Sequence, residues 1–389
     1  MHHRHLFGFV FVLFCVVAAA LVPRAEAYGE PVSSRPSYQE RTVGALINAA
    51  RVGPSGFAAA YMATAGYPAS GIADGLPAQL PLYFDPKLSE AASGHSQDLA
   101  NNCHAVQFNS CDGTAWYTRV RNIYSCTGLV GEGLQYAYSG DPLTAVSDGV
   151  CGWNQDASGN YVCCPASGKT SSGSTCNGLR NMYLSSSYSR FGVGYGADAQ
   201  TGYYYWTTDY GACNTETYAN PIASGSHLIQ SGNVRFFAAY YDAVGAPQSA
   251  KVFVGGSPLD LALDAGTGNQ GNYYAVSAAG SGCRSYYFQF TSASGGVYRL
   301  PETGYFNTFG EGSCSTDWTS TPVGGTVTTV PDPPQNVAVS GVTTSSATIS
   351  WAAPATDGGS ALTGYTVYIR AYGTEFPAEV TGGTSITFT

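Results

Sequence analysis

The sequence predicts an α+β domain followed by two all-β modules, and three observations carry this. Apolar residues keep helical spacing behind recognisable caps as far as about residue 100, and from Gly128 onward turns and short β-runs replace them. The cysteines of the mature chain form two separate blocks, eight from Cys103 to Cys213 and a later pair, Cys283 and Cys314. A Thr/Gly stretch over 319–330 sets a last module apart.

The elements follow in order. Residues 1–27 read as a secretory signal peptide: Arg4 and its histidine neighbours, an apolar run from Leu6 to Val22, then the small-x-small exit Ala25-Glu26-Ala27. Ser37-Tyr38-Gln39-Glu40 is a capping box opening a helix that carries Val43, Leu46, Ile47 and Ala50. Pro54 starts a second helix bearing Phe57, Ala60 and Tyr61. Asp85-Pro86 caps a third, with Leu88, Ala92, His95 and Leu99 on one face. Residues 153–177, rich in Gly, Ser, Asn and Cys, read as a disulfide-tied loop. Arg190 to Tyr195 and Tyr203 to Thr208 read as strands joined by a turn from Asp198 to Gly202.

A second module is expected over 220–318. Its strand-like runs are Val234 to Tyr241, Ala250 to Val254, Leu259 to Leu263, Tyr273 to Val276 and Ser285 to Phe290, at the short, turn-separated spacing of a β-sandwich. Cys283 and Cys314 are expected to staple it. Residues 331–389 resemble a fibronectin type III domain, with Trp351 and Tyr365 at that family's core positions. Such sandwiches need about 100 residues, so the module is expected to be incomplete, with its last strands beyond Thr389.

Composition narrows the class. Without Arg4, Arg24 and Glu26 of the leader, 14 basic residues face 24 acidic ones. No basic run exists, which argues against nucleic acid as a partner. No second apolar run is long enough to span a membrane, so the mature chain is expected to be secreted, extracellular, and at most associated with a cell wall or surface. Ten mature cysteines (Cys103, Cys111, Cys126, Cys151, Cys163, Cys164, Cys176, Cys213, Cys283 and Cys314) predict disulfides kept within domains. Their spacing leaves the pairing open, except that adjacent Cys163 and Cys164 are expected to reach different partners.

The stretch from His95 to Gly211 holds the strongest motifs. They are Asn101-Asn102-Cys103-His104, Gly131-Glu132-Gly133, Gly178-Leu179-Arg180-Asn181, Phe191-Gly192-Val193-Gly194-Tyr195 and Tyr205-Trp206-Thr207-Thr208-Asp209-Tyr210-Gly211. In that order they resemble the CAP superfamily of cysteine-rich secretory, antigen 5 and pathogenesis-related 1 proteins, over about residues 38–214. The resemblance implies an α–β–α sandwich whose cleft commonly holds two histidines and two acids, a set that binds a divalent metal in some members. It assigns His104 and Glu132 to that cleft and puts Leu179, followed by Arg180, where the family has its second histidine. Gly133 replaces the asparagine of the Gly-Glu-Asn motif, and the second acid has only positional candidates, Asp148 and Asp156.

A zinc site commonly needs three or four protein ligands, and His104 with Glu132 supplies two. No metal or other cofactor is therefore expected. His95, on an apolar helix face, reads as a packed core residue, and His227 belongs to the second module. His104 and Glu132 read as a polar pair ordering the cleft, with ligand contact, metal binding or general acid–base work as alternatives. No Gly-x-Ser-x-Gly elbow and no Walker loop occur. The doublets Tyr240-Tyr241, Tyr273-Tyr274 and Tyr286-Tyr287 and the run Tyr203-Tyr204-Tyr205 point one ring inward and leave others to stack on sugars or a protein partner. These features predict a secreted CAP protein acting by binding a lipid or sterol, a glycan, or an extracellular protein. Self-assembly as a matrix building block and a cleft hydrolase using His104 and Glu132 are the alternatives.

Overall fold

The computed structural model describes residues 28–67, 76–155, 161–165, 167–168, 176–212, 220–322, 333–343, 346–355, 362, 364–371, 374–381 and 383–388. The expected signal peptide, Asp156, Cys213 and the linker from residue 323 lie outside these.

Helix α1 (Tyr38–Val52) starts as the motif predicts: the Glu40 amide donates to the Ser37 hydroxyl and the Ser37 amide to the Glu40 carboxylate. Pro54 opens α2 (Pro54–Phe57), which runs into a π-helical turn at Ala58–Met62. After β1 (Tyr83–Phe84), the Asp85 carboxylate accepts from the Lys87 and Leu88 amides and opens α3 (Pro86–Asp98), which continues as a second π-helical turn, Leu99–Cys103. Then come α4 (Trp116–Tyr124), β2 (Val130–Ala137), α5 (Pro142–Cys151), the small hairpin β3 (Trp153–Gln155) and β4 (Tyr161–Cys163), α6 (Gly178–Tyr183), β5 (Arg190–Ala197) and β6 (Tyr204–Gly211).

The sheet order is β1-β5-β6-β2, with β1 parallel to β5 and the other pairs antiparallel. Helices α3 and α4 cover one face; α1, α5 and α6 cover the other. The glycines of Phe191-Gly192-Val193-Gly194-Tyr195-Gly196 make the first contact possible. A Cβ at Gly192, Gly194 or Gly196 would lie 2.0–2.2 Å from α3 backbone atoms, so any side chain there would force the helix off the strand.

The second module contains β7 (Ile222–Gln230), β8 (Asn233–Tyr241), β9 (Ser249–Val254), β10 (Ser257–Asp260), β11 (Ala262–Thr267), β12 (Gln270–Ala278), β13 (Ser285–Thr291), β14 (Val297–Leu300), β15 (Tyr305–Asn307) and β16 (Trp318–Thr319). One sheet runs β11-β12-β8-β7; the other runs β10-β9-β13-β15-β16, with β14 also on β13. The expected single strand from Leu259 to Leu263 is two strands, because the chain leaves one sheet and joins the other at buried Leu261. Strand β7 escaped the sequence reading because nearly all of it is buried on both faces, which removes the alternation that marks a strand.

The double burial of β7 has a cause: α1 lies between the central sheet and the β7 sheet. Thirteen of its fifteen residues are buried, and Leu228 and Phe237 of the sandwich belong to the same hydrophobic core as Leu46 and Ile47 of α1. Several polar groups on α1 find partners across this junction. Thr42 Oγ1 lies 2.7 Å from Ser226 Oγ, Asn48 Nδ2 donates to Leu82 O and Ser224 Oγ, and Arg41 pairs with Asp317 at 3.3 Å while its guanidinium lies over Phe306. The Tyr28 amide adds a bond to Glu302.

The third module holds β17 (Gln335–Ser340), β18 (Ala347–Ala352), β19 (Tyr365–Ala371), β20 (Thr374–Val380) and β21 (Ser385–Phe388), paired as β17-β18-β21 and β19-β20. Trp351 packs against Tyr365 with ring centroids 5.2 Å apart.

Candidate functional site

The central sheet places its side chains by register. Antiparallel β2 and β6 set Glu132 opposite Asp209, Leu134 opposite Thr207 and Tyr136 opposite Tyr205. Alternation then directs Glu132, Leu134 and Tyr136 to the face under α3 and α4. Glu132 and Asp209 are both buried, and Arg119 from α4 ion-pairs with Glu132 Oε2. Two carboxyls this close in a dry site do not both ionise. Burial, and then the charge of Glu132, pushes Asp209 well above the ordinary carboxylate range. Burial raises Glu132 as well, opposed first by the charge of Arg119. Asp209 thus keeps its proton, and Glu132 is the anion beside Arg119.

His104 closes the π-helical turn after α3 in the left-handed region, φ 52°. Its Nδ1 lies 3.1 Å from Asp198 Oδ2, at the hairpin between β5 and β6. Burial alone would raise Asp198, but hydrogen bonds from the Thr201 hydroxyl, His104 and the Gln200 and Thr201 amides hold it at about 2. Beyond this corner the same face becomes aromatic and open. Tyr203 is in ring contact with both Tyr136 and Tyr138, at 5.2 and 5.0 Å between centroids, and Tyr138 is 79% exposed.

Family comparison agrees with this layout. Residues 45–210 match the model of the cysteine-rich secretory protein family, and residues 332–389 match the fibronectin type III domain. Residues 45–210 are a CAP domain. Among solved structures, the chain is similar to an extracellular protein containing a SCP domain from Bacillus anthracis str. Ames, at 19% identity, over 36% of this chain and 35% of that one, with a TM-score of 0.25. It is also similar to domains A168-A170 from titin, at 14% identity, over 51% of this chain and 71% of that one, with a TM-score of 0.17. No curated protein matches the chain.

Two of the four residues expected in one cleft, Leu179 and Arg180, lie away from the face that carries Glu132 and His104. Glu132 belongs to the Arg119–Asp209 cluster, and His104 belongs to Asp198. Leu179 packs on the opposite face of the sheet, since a Cβ on Gly133, Glu132's neighbour, would meet Leu179 Cδ1 at 2.8 Å. Arg180 is buried and donates to the carbonyls of Cys164 and Pro165 at 2.8 and 2.6 Å, so it holds the disulfide loop. Asp148, a candidate second acid, accepts from the Tyr67 hydroxyl at 2.6 Å on α5. His95 is fully buried, with Nε2 2.9 Å from Gln107 O, and burial lowers it to about 4.

The disulfides Cys103–Cys111, Cys151–Cys163, Cys164–Cys176 and Cys283–Cys314 form; Cys126 is also disulfide-bonded. Cys163 and Cys164 do reach different partners. Asp98, Cys103 and Cys111 cluster closely, but both sulfurs are consumed by their bond and offer a metal no thiolate. Sequence reasoning missed Arg119, Asp198 and Asp209. Only strand register reveals Asp209 as Glu132's partner, and Asp198 reads as an ordinary turn residue until His104 folds back onto it.

Proposed function

We propose that this is a secreted protein whose CAP domain acts by binding an extracellular glycan or glycan-bearing partner rather than by catalysis. One observation carries the reading: Glu132 and His104 are each tied to their own partner and Leu179 lies across the sheet, which among the described residues leaves no general acid, base and orienting group joined in one hydrogen-bonded set. Glu132 is already neutralised by Arg119 and Asp209, and His104 is held by Asp198. Among the side chains the domain offers to solvent, Tyr136, Tyr138 and Tyr203 form a cluster, and flat rings bearing hydroxyls suit a sugar face. The apolar cavity lined by Tyr28, Phe84, Phe191, Leu300 and Phe306 has about 40 Å³, far less than the ~300 Å³ at which small-molecule sites begin; the larger grooves, about 540 Å³ beside Pro54 and Gly266 and about 440 Å³ beside Arg35 and Lys87, have more polar linings than a sterol site needs. Disulfide bonding supports an oxidising, extracellular setting.

The test is saturable binding of the full chain to a panel of extracellular polysaccharides, set beside a Tyr136→Ala/Tyr138→Ala variant. Binding that the variant loses is the expected outcome. Binding that survives it, or a hydrolytic activity that His104→Ala abolishes, overturns the reading.

A further inference from the structure

We propose that Tyr138 and Tyr203 form a site of oxidative cross-linking within the chain, a dityrosine. The inference is independent of what the CAP domain binds. Tyr138 follows the end of β2 and Tyr203 precedes β6, so the two residues sit on neighbouring strands of the central sheet. Their phenolic oxygens are 3.3 Å apart, their ring centroids 5.0 Å apart and their planes inclined by 71°. The carbons that would join are those next to the oxygen-bearing carbon in each ring, so the hydroxyl contact brings the reacting edges together. Tyr136, on the other contact of the Tyr203 ring, helps to hold it in place.

The 3.3 Å contact between phenolic oxygens marks this pair out from the ring neighbours Tyr136–Tyr203 and Tyr195–Tyr204, and exposure or charge separates it from others. Tyr188–Tyr210 and Tyr240–Tyr273 are ring neighbours at 5.1 and 6.2 Å, but Tyr210 and Tyr240 are fully buried and out of reach of an oxidant. Tyr287 and Tyr305 have the Arg299 guanidinium over their rings at 4.0 and 4.8 Å, a positive charge that opposes removal of an electron. Tyr138 faces solvent, and its neighbour is already in place.

The reaction balances with hydrogen peroxide as oxidant and a haem peroxidase as catalyst. Each phenol gives up one electron and its hydroxyl proton, leaving a phenoxyl radical with spin on the adjacent ring carbons. The two radicals combine to form one carbon–carbon bond. The hydrogens on the joined carbons then move to the oxygens, restoring both phenols. The chain loses two hydrogen atoms, and one peroxide becomes two waters. The product would tie the end of β2 to the start of β6 at the open end of the tyrosine cluster.

The experiment treats the full chain with peroxide and a haem peroxidase, at a dilution where chains rarely meet. Tyr138 and Tyr203 fall in different tryptic peptides, bounded by Arg121 and Lys169 and by Arg190 and Arg235. After reduction of the disulfides, the expected result is dityrosine fluorescence on the monomer and a joined peptide pair that fragmentation places at Tyr138 and Tyr203. Tyr203→Phe keeps the ring but cannot form the phenoxyl; it should lower that yield at least about tenfold, because a pre-positioned partner is lost. Tyr117→Phe, at an exposed tyrosine whose ring neighbour is Trp116, should leave it unchanged. Dityrosine found only in dimers, an equal yield in Tyr203→Phe, or a joined pair at Tyr136 instead of Tyr138 would overturn the assignment.

Discussion

The CAP domain with its sandwich and the fibronectin-type module differ in how they are held together. The first two share one core through α1, where Leu46 and Ile47 meet Leu228 and Phe237 of the sandwich. The third keeps Trp351 buried against Tyr365 while Val337, Val339 and Val342 stand in solvent. The difference teaches that a division read along the chain need not bound a hydrophobic core. A CAP domain is recognisable by its own motifs, yet here its first helix is a middle layer of a larger body.

Truncation breaks this comparison most directly, and the effect should be the largest of the series. A chain ending before Asn220 strips α1 of its second cover and exposes Thr42, Asn48 and the Leu46 face. We expect it to aggregate or to lose its cooperative thermal transition. A chain ending at Pro322, without the last module, should keep the main transition within a few degrees, and calorimetry distinguishes the two. A point substitution sharpens the same contrast. Phe237→Ala empties a fully buried position in the shared core and should cost about 3–5 kcal/mol. Although Phe237 lies in the sandwich, the CAP domain should melt with it. Trp351→Ala should abolish only the transition of the last module. Separate melting of CAP domain and sandwich in Phe237→Ala would show that the shared core does not couple them.

Local signals account for what the sequence could tell. The capping box at Ser37, the Asp85-Pro86 helix start and the hairpin after Arg190 depend on neighbours a few residues away, and each forms as read. The α–β–α layout followed from the CAP motifs. The sandwich contact on α1 did not, because buried Thr42, Asn48 and Arg41 look like an exposed polar face until Ser226, Ser224 and Asp317 arrive from residues far along the chain. The candidate site was legible in its residues and not in its grouping. Glu132 and His104 stand out in the sequence, but their partners Asp209 and Asp198 are supplied by register and by a turn. Leu179 follows a family motif, yet the one-residue step between Glu132 and Gly133 puts it across the sheet.

The smallest expected effect separates the regions by pH. His227, inside the sandwich beside α1, is fully buried; its Nδ1 is 2.9 Å from the Tyr286 hydroxyl and its Nε2 is 3.1 Å from Phe309 O. Burial lowers it to about 3, helped by the charges of Arg41 and Arg284 and opposed by the Phe309 carbonyl and Glu311. His95 in the CAP domain is lowered in the same sense. The unfolded chain therefore binds protons that the folded chain refuses. Stability is fully present above about pH 6.5 and falls as pH drops toward the folded values, by at most ~1.4 kcal/mol per pH unit for each histidine. Asp209 and Glu132 have the opposite sign: their folded values are raised, so their contribution is lost as pH rises, which offsets His95 within the CAP domain and leaves the decline to His227. The last module contains no histidine. Urea midpoints measured between pH 7 and about pH 4, from above the ordinary histidine value of about 6.5 down toward the folded ones, should therefore decline for the shared body and stay nearly level for the module around Trp351. His227→Gln should flatten the decline, and a slope unchanged by that substitution would mean that the acid sensitivity comes from elsewhere in the shared body.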